Sequence, residues 1–205
     1  MGLYADHVLP HLVDAVLGGR AIARERRRAL VGAEGRVLEL GFGSGLNLPH
    51  YPSAVRAVVG VDPSVTAARL ARARIEAAPF PVEHVARDGA ALAADTHGFD
   101  AAVSTFTLCT IPDVAAALAE VRRVLRPGGR FHFLEHGRAA SAAARRAQDL
   151  WNPIQRWVAG GCSVNRPIDQ LIRDAGLELE SLETYRLTGP EMFASMYRGV
   201  ARAPG

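Results

Sequence analysis

The chain contains no lysine: all 24 of its basic residues are arginine, set against 21 acids in 205 residues. A net charge of +3, with arginine spread over many segments, lacks the clustered basic stripe of a nucleic-acid footprint, so no nucleic-acid partner is expected. Cysteine is equally scarce, and Cys109 and Cys162 stand far apart with no Cys-x-x-Cys. The opening MGLYADHVLPHL lacks the charged segment and long apolar run of a signal peptide, which points to a reduced, cytoplasmic setting. No uncharged apolar stretch approaches the ~18 to 20 residues needed to cross a bilayer, so no membrane span is expected. Repeats, low-complexity tracts and linkers are missing too, which predicts one domain over residues 1–205.

What is present is a 49% hydrophobic chain, ample for a sheet buried between helix layers. Residues 3–31 predict one or two helices interrupted at Gly18-Gly19, an N-terminal helical cap over residues 1–34. From residue 35 to 136, short apolar runs alternate with helical periods, the pattern of βα units and an α/β, mostly parallel sheet. Strands are predicted at 36–40, 55–61, 82–86, 99–105 and 130–136, with a terminal hairpin from 177–183 and 195–201. Val114, Ala117, Leu118, Val121 and Leu125 predict a helix that Pro127-Gly128-Gly129 stops. In the remaining segment, 137–205, a helix starts near Ser141 and Pro153 should kink or split it.

The strand RVLEL runs into Gly41-Phe42-Gly43-Ser44-Gly45, a glycine-rich turn at the carboxyl end of the first strand, where open α/β sheets bind ligands. Its G-x-G-x-G spacing departs from the G-x-G-x-x-G that cradles a pyrophosphate, which favours a ligand without one. The second strand ends at Asp62, where a carboxylate can accept hydrogen bonds from ribose hydroxyls, and the third ends near Asp88-Gly89. Either aspartate alone reads more readily as a helix cap or a solvated loop residue than as a ligand contact. The combination at three strand ends is what points to a nucleoside ligand.

VLELGFGSG, VVGVDPS, ARDGAAL, FDAAVSTFTLCTIPD and LRPGGRFHFLEH together resemble the motifs of class I S-adenosylmethionine-dependent methyltransferases over roughly residues 36–136. The resemblance implies a Rossmann-like, seven-stranded sheet in the order 3-2-1-4-5-7-6 with its last strand antiparallel. It also implies S-adenosylmethionine as methyl donor and S-adenosylhomocysteine as product. Gly41, Gly43 and Asn47 would surround the methionine part, Asp62 would hold the ribose, and Asp88 with Gly89 would meet the adenine. Thr105 and Phe106 would border the sulfonium, and Glu39, Phe42, Gly45 and Pro63 belong to the same cofactor-binding set.

His132-Phe-Leu-Glu135-His136 matches H-x-x-E-H, a zinc-peptidase pattern, but on a strand the two histidines stand roughly 13 Å apart and share no ion. No metal is expected from it. His136, at the end of the fifth strand, reads either as a structural histidine or as a base beside the methyl donor. Farther on, LEHG, WNPIQRW and GGCSVNRPIDQLIRDAGLELE resemble bacterial relatives of the mammalian membrane-associated thiol S-methyltransferases, as does YADHVLPHL…RERRRAL. The mammalian members carry an apolar N-terminal anchor that MGLYADHVLPHL does not match. This narrower likeness implies a small-molecule acceptor, a thiol first, with His136 as catalytic base. Amines, phenols and quinone-type rings are alternatives, as is a non-enzymatic adenosylmethionine-binding role. Trp157 is expected in the core, Trp151 is left open, and Cys162 is read as a packed small residue rather than a nucleophile.

Overall fold

The computed structural model describes residues 4–86, 89 and 95–205, so the expected adenine contact Asp88 lies outside the described residues. After a π-helical turn at Tyr4–Val8 come α1 (Leu9–Leu17) and α2 (Arg20–Ala29), separated as expected at Gly18-Gly19. The sheet-forming part follows as β1 (Gly35–Leu40), β2 (Val55–Val61), α3 (Val65–Glu76), β3 (Val82–Val85), β4 (Phe99–Thr105), α4 (Val114–Val124) and β5 (Leu125–His136). The chain closes with α5 (Ala142–Val158), α6 (Ile168–Asp174), β6 (Glu178–Arg186), α7 (Glu191–Ala194) and β7 (Ser195–Arg202).

The seven strands lie in the order β3-β2-β1-β4-β5-β7-β6, and β7 is antiparallel to both neighbours. This is the expected topology. Because successive strand residues face opposite sides, the near-continuous apolar runs bury both faces of the sheet. Leu38 and Leu40 join the layer under α4 and α6 with Leu118, Phe131 and Ile172, whereas Val37 joins the layer under α3 with Val58, Ala71 and Val103. Three helix starts are capped by side chains: Ser64 accepts from the Ala67 N–H, Asp113 from Ala116 and Ser141 from Ala144.

The cap is fastened by charge as well as packing. On α2 the buried Glu25 accepts from Tyr185 at 2.8 Å and pairs with Arg198 of β7, while its neighbour Arg26 reaches Thr105 at the carboxyl end of β4. Buried His132 on β5 holds the last turn of α2 through its Nδ1, 3.0 Å from the Ala29 carbonyl.

Three details differ from the sequence reading. Strand β5 begins at Leu125, ahead of the Pro-Gly-Gly turn, because Leu125 already pairs with Phe99 before an irregularity in the register. Helix α5 runs unbroken through Pro153; its middle is exposed, so the carbonyl freed at Asp149 is open to water. Trp157 is not core but 84% exposed. The cause is that α5 is keyed inward by a polar residue: buried Gln148 accepts from Ala139 and donates to the carbonyls of Gly137, Val164 and Met192. The apolar side of the helix therefore faces out, and Trp151 packs edge-on against Phe193 at 6.4 Å. No helix among the described residues is long and apolar enough to cross a membrane.

Candidate functional site

The carboxyl ends of β1, β2, β4 and β5 open into one cavity of about 640 Å³. Parallel strands that diverge to opposite sides of a sheet leave a crevice there. Its floor begins where β1 enters the glycine turn. Gly41 and Gly43 have φ of 70° and 55°, in the left-handed region where other residues are strained, and a Cβ on Gly41 would lie 2.0 Å from Thr107 Oγ1. Asp62 pins this turn: one carboxylate oxygen accepts the Gly43 N–H at 2.9 Å and the other the Ser64 N–H at 2.8 Å. Each oxygen keeps a further lone pair for a hydroxyl.

Behind the turn lies a buried polar network. Glu39 accepts from Asn47 at 2.8 Å and from the Tyr51 hydroxyl at 2.7 Å, yet burial pushes its pKa up to about 7 against those bonds. Asn47 also donates to Thr105 Oγ1 at 3.0 Å and accepts from Arg26 at 2.8 Å. Arg26 is 4% exposed and donates to Thr105 as well, its guanidinium lying 5.5 Å from the Phe106 ring centre. Its Nε has no partner, and among the described residues no acid forms an ion pair with it. Burial draws its pKa down against the more distant charges of Glu39 and Glu135. A buried, unpaired cation on a cavity wall is a place for an anionic group.

The far wall comes from β4 and β5. Glu135 accepts from Ser104 Oγ at 2.7 Å and from the Thr107 N–H at 2.9 Å, which fixes the bend after β4 where Phe106 adopts a φ of 56°. His136 lies edge-on to Phe106 with ring centres 6.5 Å apart. Its Nε2 is 3.0 Å from Cys162 Sγ, which is 3.7 Å from Cys109 Sγ. The two cysteine loops are clipped together by Ser163 N–H to the Cys109 carbonyl at 2.8 Å and by Arg166 to the Ile111 carbonyl at 2.8 Å. The Cys109 contact and burial push the Cys162 thiol far above its usual range, so it stays protonated. An ionised Cys162 would raise the imidazole's pKa, but the thiol's own shift keeps that charge from forming.

The roof is apolar. Leu9, Leu12, Val13 and Leu17 of α1 line the cavity with Ile22, and Leu12 and Val13 remain roughly half exposed. One polar clamp ties this helix to the floor: Asp14 accepts from Ser44 Oγ at 2.6 Å and from Arg74 at 2.8 Å.

Of the residues expected at the site, Glu39, Gly41, Phe42, Gly43, Asp62, Thr105, Phe106 and His136 line this cavity. Gly45 and Asn47 are buried behind it, and Pro63 and Gly89 are not among its lining residues. Phe42 is 2% exposed and packs so closely over Gly60 that a Cβ there would meet its ring at 2.3 Å. Arg26 and Cys109 were not anticipated. For Arg26 a signal existed, because Ile22, Arg26 and Ala29 share one helix face at i, i+4 and i+7; Cys109 carried none.

The methyltransferase domain family matches residues 38–133. Over 68% of its length the chain is 34% identical to the human thiol S-methyltransferase TMT1B, covering 59% of that protein. It is 36% identical over 55% of its length to phosphatidylethanolamine N-methyltransferase of Cereibacter sphaeroides, covering 57% of it. The chain thus spans a little under three fifths of these relatives. Among solved structures it resembles an S-adenosylmethionine-dependent methyltransferase from Mesorhizobium loti at a TM-score of 0.67 and 22% identity, over 91% of this chain and 99% of that one.

Proposed function

We propose that this chain, which matches the methyltransferase domain family over residues 38–133, is a class I, S-adenosylmethionine-dependent methyltransferase and that it methylates a small, fairly apolar thiol. The observation that carries the reading is the cavity itself, where a hydrogen-bonded floor with an unpaired cation meets an apolar roof beside an imidazole and two thiols.

The floor fits the donor. Asp62 retains acceptor capacity for ribose hydroxyls, and Arg26 offers its buried guanidinium to the carboxylate of the methionine part. Gly41 and Gly43 let the chain approach it without side chains. Phe106 and Thr105 stand where the far wall turns toward the acceptor. When bound, S-adenosylmethionine supplies an already activated methyl group, so the protein's work is to align the acceptor and exclude water.

On the acceptor side, the apolar α1 residues favour a hydrophobic molecule, and we assign His136, the histidine on the cavity wall, to the acceptor sulfur. Thiols suit such a site because a small thiolate fraction is already a strong nucleophile. We place the reaction in the cytoplasm, where Cys109 and Cys162 stay reduced.

A second reading, N-methylation of a phospholipid amine, is favoured by the exposed apolar residues Leu150 and Trp157 on α5 and by the bacterial relative's name. The deciding experiment supplies methyl-labelled S-adenosylmethionine with aryl and alkyl thiols, phosphatidylethanolamine vesicles, phenols and a quinol. Label recovered in a thioether is the expected result. Label in amine, phenol or quinol but in no thiol overturns the thiol assignment and leaves a methyltransferase. Tight donor binding with no label transferred to any acceptor points to a binding protein.

A further inference from the structure

We propose that Cys109, His136 and Cys162 form a binding site for a thiophilic divalent cation, zinc foremost, with a fourth position open to the acceptor thiol. The three ligand atoms lie within 4.8 Å of one another, and all three residues line the cavity. Two thiolates and an imidazole make a soft, borderline donor set that selects zinc over oxygen-seeking cations. Three protein ligands with one open position is the arrangement of a catalytic rather than a structural zinc.

The distances suit this ion. A tetrahedral zinc about 2.3 Å from each sulfur holds the two sulfurs about 3.8 Å apart, and Cys109 and Cys162 stand at 3.7 Å. The imidazole at 3.0 Å from Cys162 must retreat to about 3.5 Å from the sulfur to share the ion. The ligands come from three separate elements: the loop after β4, the end of β5 and the loop after α5. Nothing in their own segments brings them together; the Ser163 and Arg166 hydrogen bonds to the Cys109 loop do so. Both cysteines are buried and free, so neither is spent on a disulfide. His132, the other histidine of HFLEH, takes no part, because its ring faces the Ala29 carbonyl.

The purpose of the ion rests on the thiol reading above; its binding does not. Metal entry displaces one proton from each cysteine to solvent, leaving a cation with two thiolates and a neutral imidazole, which has no net charge. An acceptor thiol that takes the fourth position loses its S–H proton to solvent and stays as a thiolate at neutral pH. Its sulfur lone pair then forms the new S–CH₃ bond, and the electrons of the broken methyl–sulfonium bond remain on the sulfur of S-adenosylhomocysteine. The neutral thioether product is a weaker ligand and leaves. His136 is a ligand in this scheme, not the free base that the sequence alone points to.

The test uses full-length protein stripped with a chelator and titrated with Co²⁺, then Zn²⁺. One equivalent of cobalt per chain should bind with an intense sulfur-to-cobalt absorption that zinc bleaches. Cys109→Ser and Cys162→Ser should each remove about half of that absorption and weaken zinc at least tenfold. His132→Asn, which keeps a donor for Ala29, should change neither. Thiophenol added to the cobalt protein should raise the absorption as a third sulfur binds. Cobalt that binds without the absorption, or an absorption that survives both serine substitutions, overturns the site. So does zinc uptake that is undiminished after the two cysteines have been oxidised to a disulfide. The wild-type titration needs no variant to fold. If metal-free protein methylates a thiol as fast as the zinc form, the methyltransferase reading stands and the ion's role in activating the acceptor falls, while the cobalt titration still decides whether the site binds metal. If the cobalt site forms but thiophenol adds no absorption and no thiol is methylated, the thiol reading fails and the open-position role fails with it.

Discussion

The floor and the roof of the cavity are built by opposite means. On the floor, Asp62, Glu39, Asn47 and Thr105 are held by backbone or side-chain hydrogen bonds before any ligand arrives, and the buried Arg26 Nε lacks a partner. On the roof, α1 buries none of its residues, and α5 beside it buries only Gln148, leaving apolar side chains of both helices in solvent. A preorganised polar surface suits a ligand of fixed chemistry, whereas a loosely held apolar one suits an acceptor that must enter, leave and differ from relative to relative.

The contrast can be broken most strongly at Glu39. Its pKa is 4.5 in an ordinary setting and about 7 in the fold, so the native state holds this proton more tightly than the unfolded chain. The stability it contributes is complete below pH 4.5 and is lost as pH rises through about 7. Across that window the loss amounts to about 3 kcal/mol. Glu39→Gln should flatten this part of the stability curve, read as urea midpoints from acid to neutral pH. An unchanged slope in the variant would show that the floor is not as dry as it is drawn.

Next in size are the donor contacts. Asp62→Ala should weaken S-adenosylhomocysteine binding by about 1.5–3 kcal/mol, the range for hydrogen bonds to a charged group. Arg26→Met should cost a similar amount of affinity while changing stability by less than about 1 kcal/mol, because it removes a cation that has no ion-pair partner. Isothermal calorimetry paired with thermal melting separates the two effects. A variant that melts early but binds normally would make Arg26 a structural residue.

The smallest effect is expected on the exposed side of α5, away from the floor. Trp157→Ser should leave stability within about 0.5 kcal/mol of wild type, as for other exposed positions, and leave donor binding untouched. A large loss in denaturant titrations would mean that α5 packs more tightly than its exposure indicates.

The same contrast governs how much could be read without coordinates. Strand periodicity and the glycine-rich turn are local chemistry, and they write the strands and the Gly41–Asp62 floor into short stretches of sequence, whereas the sheet order was legible only through the family resemblance. Arg26 shares a helix face with Ile22 and Ala29, but in an arginine-rich helix that signal is easily overlooked, because one buried guanidinium looks like its exposed neighbours. Trp157 misled because amphipathic spacing reveals an apolar side but not which way it turns; Gln148 decides that through bonds to distant loops. The Cys109–His136–Cys162 cluster joins residues 26 to 53 positions apart, a separation that no local pattern reports.

The central claim is that the floor, pinned at Asp62, holds the methyl donor independently of the exposed apolar helix α5. Calorimetric titration of S-adenosylhomocysteine into wild type, Asp62→Ala and Trp157→Ser tests this directly. One equivalent per chain should bind to wild type and Trp157→Ser with the same affinity, and at least tenfold more weakly to Asp62→Ala. No binding to wild type, or equal binding to folded Asp62→Ala, would contradict it.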